Sequence, residues 1–247
     1  MPGEFIKILN DHFKVIDLSS PIFSFMPIWS TLPDVVVMPF KNIVRDGVRI
    51  TLVKMTTHSG THTEVPAHFL EHGKSLEQIP IERFVGEGIV IDLSNKVKPG
   101  KPIELSAVRD CYDDEIKKGD VVMLYTGWSK KRGFNAEFLF EWPYISHELA
   151  EYLVSKGIKA IGIDTISVSG WCEKVATHDP VTDEDASIIH KIFLQNDIII
   201  IEDLNNLDRV LEGRGSRRAF FIFAPLLIIG SEAAPCRALA FIKKNDF

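Results

Sequence analysis

The sequence predicts a mixed α/β fold with much β-sheet, on three observations. Short β-branched, apolar runs alternate with amphipathic stretches at helical spacing. No composition break marks a linker, and 247 residues, 45% hydrophobic and 25% charged, suffice to bury a substantial core in one domain spanning 1–247. No internal repeat or low-complexity stretch points to a solenoid or a fibrous chain.

Taken in order, "VRITLVKMTTH" (48–58) alternates apolar with polar residues and reads as a strand. "GIVIDL" (88–93) and "DVVMLYTG" (120–127) are short apolar runs of the kind buried in a sheet. "SHELAEYLVSKG" (146–157) opens on a capping serine, repeats Leu149, Tyr152 and Leu153 at helical spacing, and closes on a glycine suited to the C′ position. "KAIGID" comes next as a strand. Thr182 is placed to cap "DEDASIIHKIFLQND", whose early acidic residues suit a helix amino terminus, and "IIIIED" comes directly after it. "RRAFFIFAPLLII" and "PCRALAFI" return the chain to strand.

The net charge of −6 argues against sequence-independent nucleic-acid binding, which needs a basic surface to displace counterions. The basic patches "SKKRG" (129–133) and "EGRGSRR" (212–218) are short and glycine-flanked, and read as solvated loops. The amino-terminal stretch has neither an apolar h-region nor a small-residue cleavage site, and no apolar run approaches membrane-spanning length. Cys111, Cys172 and Cys236 lack CxxC spacing and read as free, buried thiols in a reducing compartment, with the cytoplasm as the default.

The chemistry-bearing segment is "HSGTHTEVPAHF" (58–69). Four of the eight histidines, 58, 62, 68 and 72, fall within fifteen positions. The segment lies where a strand ends: Gly60 lets the chain bend and Pro66 stiffens the residues after it. His58, His62 and Glu64 combine imidazole with carboxylate, a donor set suited to zinc, manganese or iron(II). A lone histidine is more often a hydrogen-bonded turn residue, but a cluster of this density favours a metal. His72, in "LEHGKS", reads as a surface turn residue. His12, His147 and His178 have polar neighbours and no carboxylate at a telling distance.

His190 and Glu202 are the remaining pair. If helix and strand pack antiparallel across "QND", they lie about 8–10 Å and about 13–16 Å back from the turn, and their side chains converge. Spacing alone equally allows Glu202 to leave its strand into solvent and His190 to pack on a helix face.

The segment "HSGTHTEVPAH" resembles the HxGTHxDxPxH signature of the cyclase family, which includes bacterial kynurenine formamidases and isatin hydrolases. "IDLSSPIFSFMPIW", "LYTGW", "GIDTISV", "HKIFLQNDIIIIEDLNNL" and "APCRALAFI" are similar to further stretches of that family, so the resemblance spans nearly the whole chain. It implies the family's swivelling β/β/α fold, a mixed sheet core with helices packed outside. It further implies that His58, His62 and the carboxylate at Glu64 bind one ion, that Glu64 reaches a second ion held by His190 and Glu202, and that His68 is the general acid/base. The family has aspartate where this chain has Glu64. The extra methylene moves the carboxylate by more than about 1 Å, against metal–oxygen distances of about 2.0–2.2 Å.

The expected function is metal-dependent hydrolysis of a small amide, formamide, lactam or lactone, with one or two divalent ions, zinc or manganese, activating water and His68 moving the proton. The alternatives are a binding protein that has lost turnover through Glu64, and an enzyme that closes rings or dehydrates. Phe23, Phe25, Met26 and Trp29 offer apolar area for an aromatic substrate, Phe25 and Trp29 foremost, although core or oligomer contacts explain them equally well. Oligomerisation is common in the family, so a homodimer or higher even assembly is expected, with a small-molecule substrate and neither nucleic acid nor membrane as partner.

Overall fold

A computed structural model describes residues 11–171 and 183–244. His178, Cys172 and the expected cap Thr182 lie outside the described residues. The strands are β1 (Phe13–Asp17), β2 (Val36–Lys41), β3 (Ile50–Lys54), β4 (His62–Glu64), β5 (Val85–Asp92), β6 (Pro102–Ile103), β7 (Val121–Tyr125), β8 (Tyr144–Ile145), β9 (Ala160–Ile163), β10 (Ile199–Glu202), β11 (Ser216–Ile222), β12 (Ala233–Pro235) and β13 (Leu239–Lys243). The helices are α1 (Ile43–Asp46), α2 (Leu105–Tyr112), α3 (Ala136–Phe140), α4 (His147–Ser155), α5 (Asp183–Gln195) and α6 (Leu207–Leu211).

Nine strands form one mixed sheet in the order β1-β13-β11-β5-β7-β9-β10-β4-β12. Its centre, β5-β7-β9-β10, is parallel, and both flanks are antiparallel. A parallel centre is covered on both faces, which explains why these strands are continuous apolar runs rather than alternating ones. Successive residues still face opposite ways. Val90, Val121, Met123, Ile199 and Ile201 enter one core with Leu207 and Leu211 of α6. Ile89, Ile91, Val122, Leu124, Ile161 and Ile200 enter a second core with Leu149 and Leu153 of α4 and Phe193 of α5. Ser146 caps α4 as its sequence implies, accepting from Leu149 N at 3.2 Å.

The sheet curls, because its outer strands cover the first core. Ile16 of β1, Ile242 of β13 and Ala234 of β12 share that core with Val121. The chain beyond β1 then bridges to the chain beyond β10 at Ser19 and Leu204. A third cluster of Trp128, Phe138, Trp142, Ile166 and Trp171 packs beside the sheet, with Trp29 against it.

Several sequence expectations need correction. The strand within 48–58 is real but short, and it pairs with β2 as a ribbon whose β3 residues are all exposed, so its alternating pattern does not mark one buried face. The run at 225–229 is not a strand: β11 ends at Ile222, Pro225 makes only an isolated bridge to Cys236, and Leu226, Leu227, Ile228 and Ile229 are exposed. The basic patches are not solvated throughout. Arg132 is largely covered against Asp203 and donates to Ser20 Oγ at 3.0 Å, and Arg217 is buried with a 2.6 Å bond to Glu212. A buried guanidinium needs such partners to offset its lost hydration. Cys111 is exposed rather than buried, while Cys236 is partly buried and its thiol is pushed up to about 12 by burial.

Candidate metal centre

The site is assembled by β-pairing. β4 lies between β10 and β12, with His62 opposite both Glu202 and Pro235, and Glu64 opposite both Ile200 and Ala233. Residues two apart on a strand face the same way, so His62 and Glu64 point into one space while Thr63 turns away to donate to Phe223 O. The preceding turn requires Gly60, whose φ of +66° lies in the left-handed region and whose absent side chain leaves room for Ile22. After β4, a single 3-10 turn over Pro66–His68 brings His68 back toward Glu64. His190 arrives from α5.

The resulting donor atoms are close together. His58 Nδ1 lies 2.9 Å from Glu64 Oε1 and 3.2 Å from His62 Nε2, and His62 Nε2 lies 3.3 Å from that same oxygen. His190 Nε2 lies 3.6 Å from Glu64 Oε2 and 3.3 Å from Glu202 Oε1, and His62 Nε2 lies 3.5 Å from Glu202 Oε2. His68 Nε2 stands 3.4 Å from Glu64 Oε1. A tetrahedral ion with bonds of about 2.0–2.2 Å places its ligand atoms about 3.3–3.6 Å apart, and the His62, His190 and Glu202 contacts have that spacing while His58 stands closer, at 2.9 and 3.2 Å. Glu64 Oε2 is buried without a hydrogen-bond partner, a costly state that a cation relieves. The set therefore fits a divalent ion, and the longer glutamate reaches all four imidazoles.

The second ring nitrogens separate these histidines. His62 Nδ1 donates to Gly60 O at 2.8 Å, His58 Nε2 donates to Glu232 Oε1 at 3.1 Å, and His190 Nδ1 is hydrogen-bonded to Ser169 Oγ at 2.9 Å. Each bond turns the other nitrogen toward the carboxylates, the usual arrangement of a ligating imidazole. His68 has no such hydrogen bond among the described residues, and its ring instead packs against those of His58 and Phe69.

Electrostatics follow the same division. Burial alone depresses the His58 pKa, but the Glu64 hydrogen bond and the charges of Glu64, Glu202 and Glu232 outweigh it and raise it to about 9. Burial holds His68 down at about 4, with the charges of His58 and His190 opposing the pull of Glu64. Burial raises Glu64, yet His68, His190 and the bonds to His58 and His62 keep its carboxyl well below the usual carboxylate range. This buried cluster consequently carries a permanent anion and a neutral imidazole side by side.

These groups open into a pocket of about 350 Å³, whose further walls are Trp29, Thr31, Leu32, Phe69, Ile166, Ser167, Ser169 and Ser187. Every expected metal and acid/base residue lines it, and so does Trp29. Phe25 does not: the residue is 60% exposed, with a φ of +60° in the left-handed region. Sequence reading also missed Ser169 and Glu232, which carry no spacing signal because strand pairing and loop folding alone bring them in. His72 is exposed in a turn, as expected.

Comparison with known proteins places the chain. The family model described as "Putative cyclase" matches residues 16–169. A kynurenine formamidase of Erythrobacter litoralis (strain HTCC2594) is 30% identical over 231 residues, which cover 92% of this chain and 93% of that protein. A predicted metal-dependent hydrolase from Bacillus stearothermophilus is 28% identical with a TM-score of 0.69, over 93% of this chain and 98% of that one. An isatin hydrolase bound to the product analogue thioisatinate shares the fold at a TM-score of 0.83 and 23% identity, over 98% and 97% of the two chains. Strand order, a histidine and carboxylate cluster on β4 and β10, and these matches lead to one conclusion: the chain belongs to the cyclase family.

Proposed function

We propose that this protein is a metal-dependent hydrolase that cleaves the C–N bond of a small amide, formamide or lactam, with lactones as a related class. The observation that carries this reading is the convergence of His58, His62, His190 and Glu202 around the buried Glu64 carboxylate, one of whose oxygens has no hydrogen-bond partner, beside a neutral His68 in the same pocket. Relatives described as kynurenine formamidase and metal-dependent hydrolase support it.

His58, His62 and Glu64 would hold one ion, and Glu64, His190 and Glu202 a second, with zinc or manganese suited to these donors. A divalent ion supplies Lewis acidity and lowers the pKa of water to about 7. His68 accepts a proton at Nε2 and returns it to the leaving nitrogen, a task for which an unprotonated imidazole is required at neutral pH. Trp29 provides a flat apolar wall for an aromatic acyl or ring group, held at 4.8 Å from Trp171 and 5.6 Å from Trp142 between ring centroids. Ser167 and Ser169 offer hydroxyl groups on the pocket wall.

We also propose that the protein is cytoplasmic and forms a homodimer or higher even assembly through the β2–β3 ribbon. Among the described residues no helix is long and apolar enough to cross a membrane. The ribbon exposes Met38, Phe40, Ile43, Val44, Ile50, Leu52 and Val53, and a two-stranded ribbon with no covering layer is marginal in water. Hydrolysis assays on N-formylkynurenine, isatin and simple lactones test the catalytic proposal. Turnover of at least one, lost with the metal, is expected; no turnover of any amide, lactam or lactone by fully metallated protein contradicts it.

A further inference from the structure

His58 is held by an acid outside the ligand set. Glu232 Oε1 accepts from His58 Nε2 at 3.1 Å and from Thr57 Oγ1 at 2.7 Å. The Glu232 backbone is fixed beside the site, because its carbonyl accepts from Val65 N at 3.0 Å and the next residue, Ala233, pairs with Glu64. One ladder thus carries both the central carboxylate and the acid that meets its neighbouring imidazole.

Of the other two ligating imidazoles, His62 donates to a backbone carbonyl and His190 is hydrogen-bonded to a hydroxyl. Glu232 differs from both in carrying a charge. A carboxylate acceptor at Nε2 keeps a proton on that nitrogen, so when an ion displaces the other proton the lone pair lies on Nδ1, which faces Glu64 Oε1 and His62 Nε2. His58 also precedes the strand and sits on a turn, so it lacks the β-ladder restraint that fixes His62. A charged partner supplies the restraint and makes the imidazole a stronger donor.

We propose that Glu232 is a positioning residue of the metal centre, which fixes the tautomer and ring orientation of His58 so that Nδ1 is presented to the ion. The inference rests on reading His58 as a metal ligand. It makes the loop before β12 part of the site, although Glu232 itself does not line the pocket.

Zinc affinity, measured on the full chain by competition with a chromophoric chelator, tests this without recourse to catalysis. Glu232→Ala should weaken zinc binding about 10- to 100-fold, the range typical of removing such a partner. Glu232→Gln keeps an acceptor for both Thr57 and His58 but removes the charge, so it should fold as wild type and weaken zinc by a smaller factor. In a His58→Ala background the Glu232 changes should add nothing, a coupling that a merely structural tie to Thr57 does not produce. If Glu232→Ala fails to fold, Glu232→Gln and the coupling decide. Wild-type zinc affinity in Glu232→Gln, or an equal Glu232 effect with and without His58, overturns the proposal. If His58→Ala itself binds zinc as wild type, the ligand reading fails instead, and that result is distinct.

Discussion

His68 and His58 sit with ring centroids 4.3 Å apart, yet their surroundings drive them to opposite protonation states. His68 lacks a carboxylate on its second nitrogen and is held down at about 4, whereas His58 lies between Glu64 and Glu232 and is held up at about 9. His68→Ala should therefore lower kcat by about 10²- to 10⁴-fold while zinc or manganese content stays at the wild-type level. Steady-state kinetics with elemental analysis of the same sample checks this, and loss of metal with activity reassigns His68 as a ligand. His58 gives a pH signature in metal-free protein. Its folded pKa of about 9 exceeds the usual 6.5, so its pairing contributes fully below about pH 6.5 and is lost as pH rises through about 9. The melting temperature of chelator-treated protein should fall over that interval, and should fall less in His58→Ala. Equal declines in the two proteins contradict the assignment.

At the scale of elements, the site depends on how tightly the segment after β4 is folded back. Gly73 sits against the 3-10 turn that carries His68, and a Cβ there would lie 2.3 Å from the carbonyl carbon of Pro66. Ala67 N donates to Lys74 O at 3.1 Å, which ties the two stretches together. Gly73→Ala should displace Pro66 and cost at least about 1–3 kcal/mol, the usual range for forcing atoms into filled space. Because the displaced turn carries His68 but not His62, turnover should drop more than metal affinity. A melting curve with a zinc titration reads both, and unchanged stability contradicts the packing described. Much of this was legible in the sequence. The histidine cluster is local, so spacing reveals it, and the central strands are apolar runs because a parallel centre is buried on both faces. Glu232 was not legible, since it reaches His58 only through the β4–β12 ladder. Phe25 lies outside the pocket lining and is exposed, because apolar character in a sequence gives no direction.

For the whole molecule, the curl of the sheet sets the position of everything else. Strands from both edges close over one core, and the cluster of donors occupies the region where β4, β10 and β12 meet. The β2–β3 ribbon is the exception. It leaves the body with apolar side chains on both of its strands, which is why its pattern reads as a sheet strand in sequence although no core covers it. The proposed assembly covers this surface. Phe40→Asp combined with Leu52→Asp should shift the protein toward monomer in multi-angle light scattering while leaving the melting of the core intact. A wild-type protein that is monomeric at micromolar concentration contradicts the assembly.

Five residues from three separate parts of the chain are proposed to form one metal centre, and the metal content of purified protein by elemental analysis tests that assignment. Wild-type protein should carry one or two divalent ions per chain. His58→Ala and His62→Ala should each remove the ion held with Glu64 Oε1. His190→Ala and Glu202→Ala should remove a second ion, or leave the stoichiometry unchanged if one ion is bound. Retention of the full wild-type metal content by all four folded variants would contradict the claim.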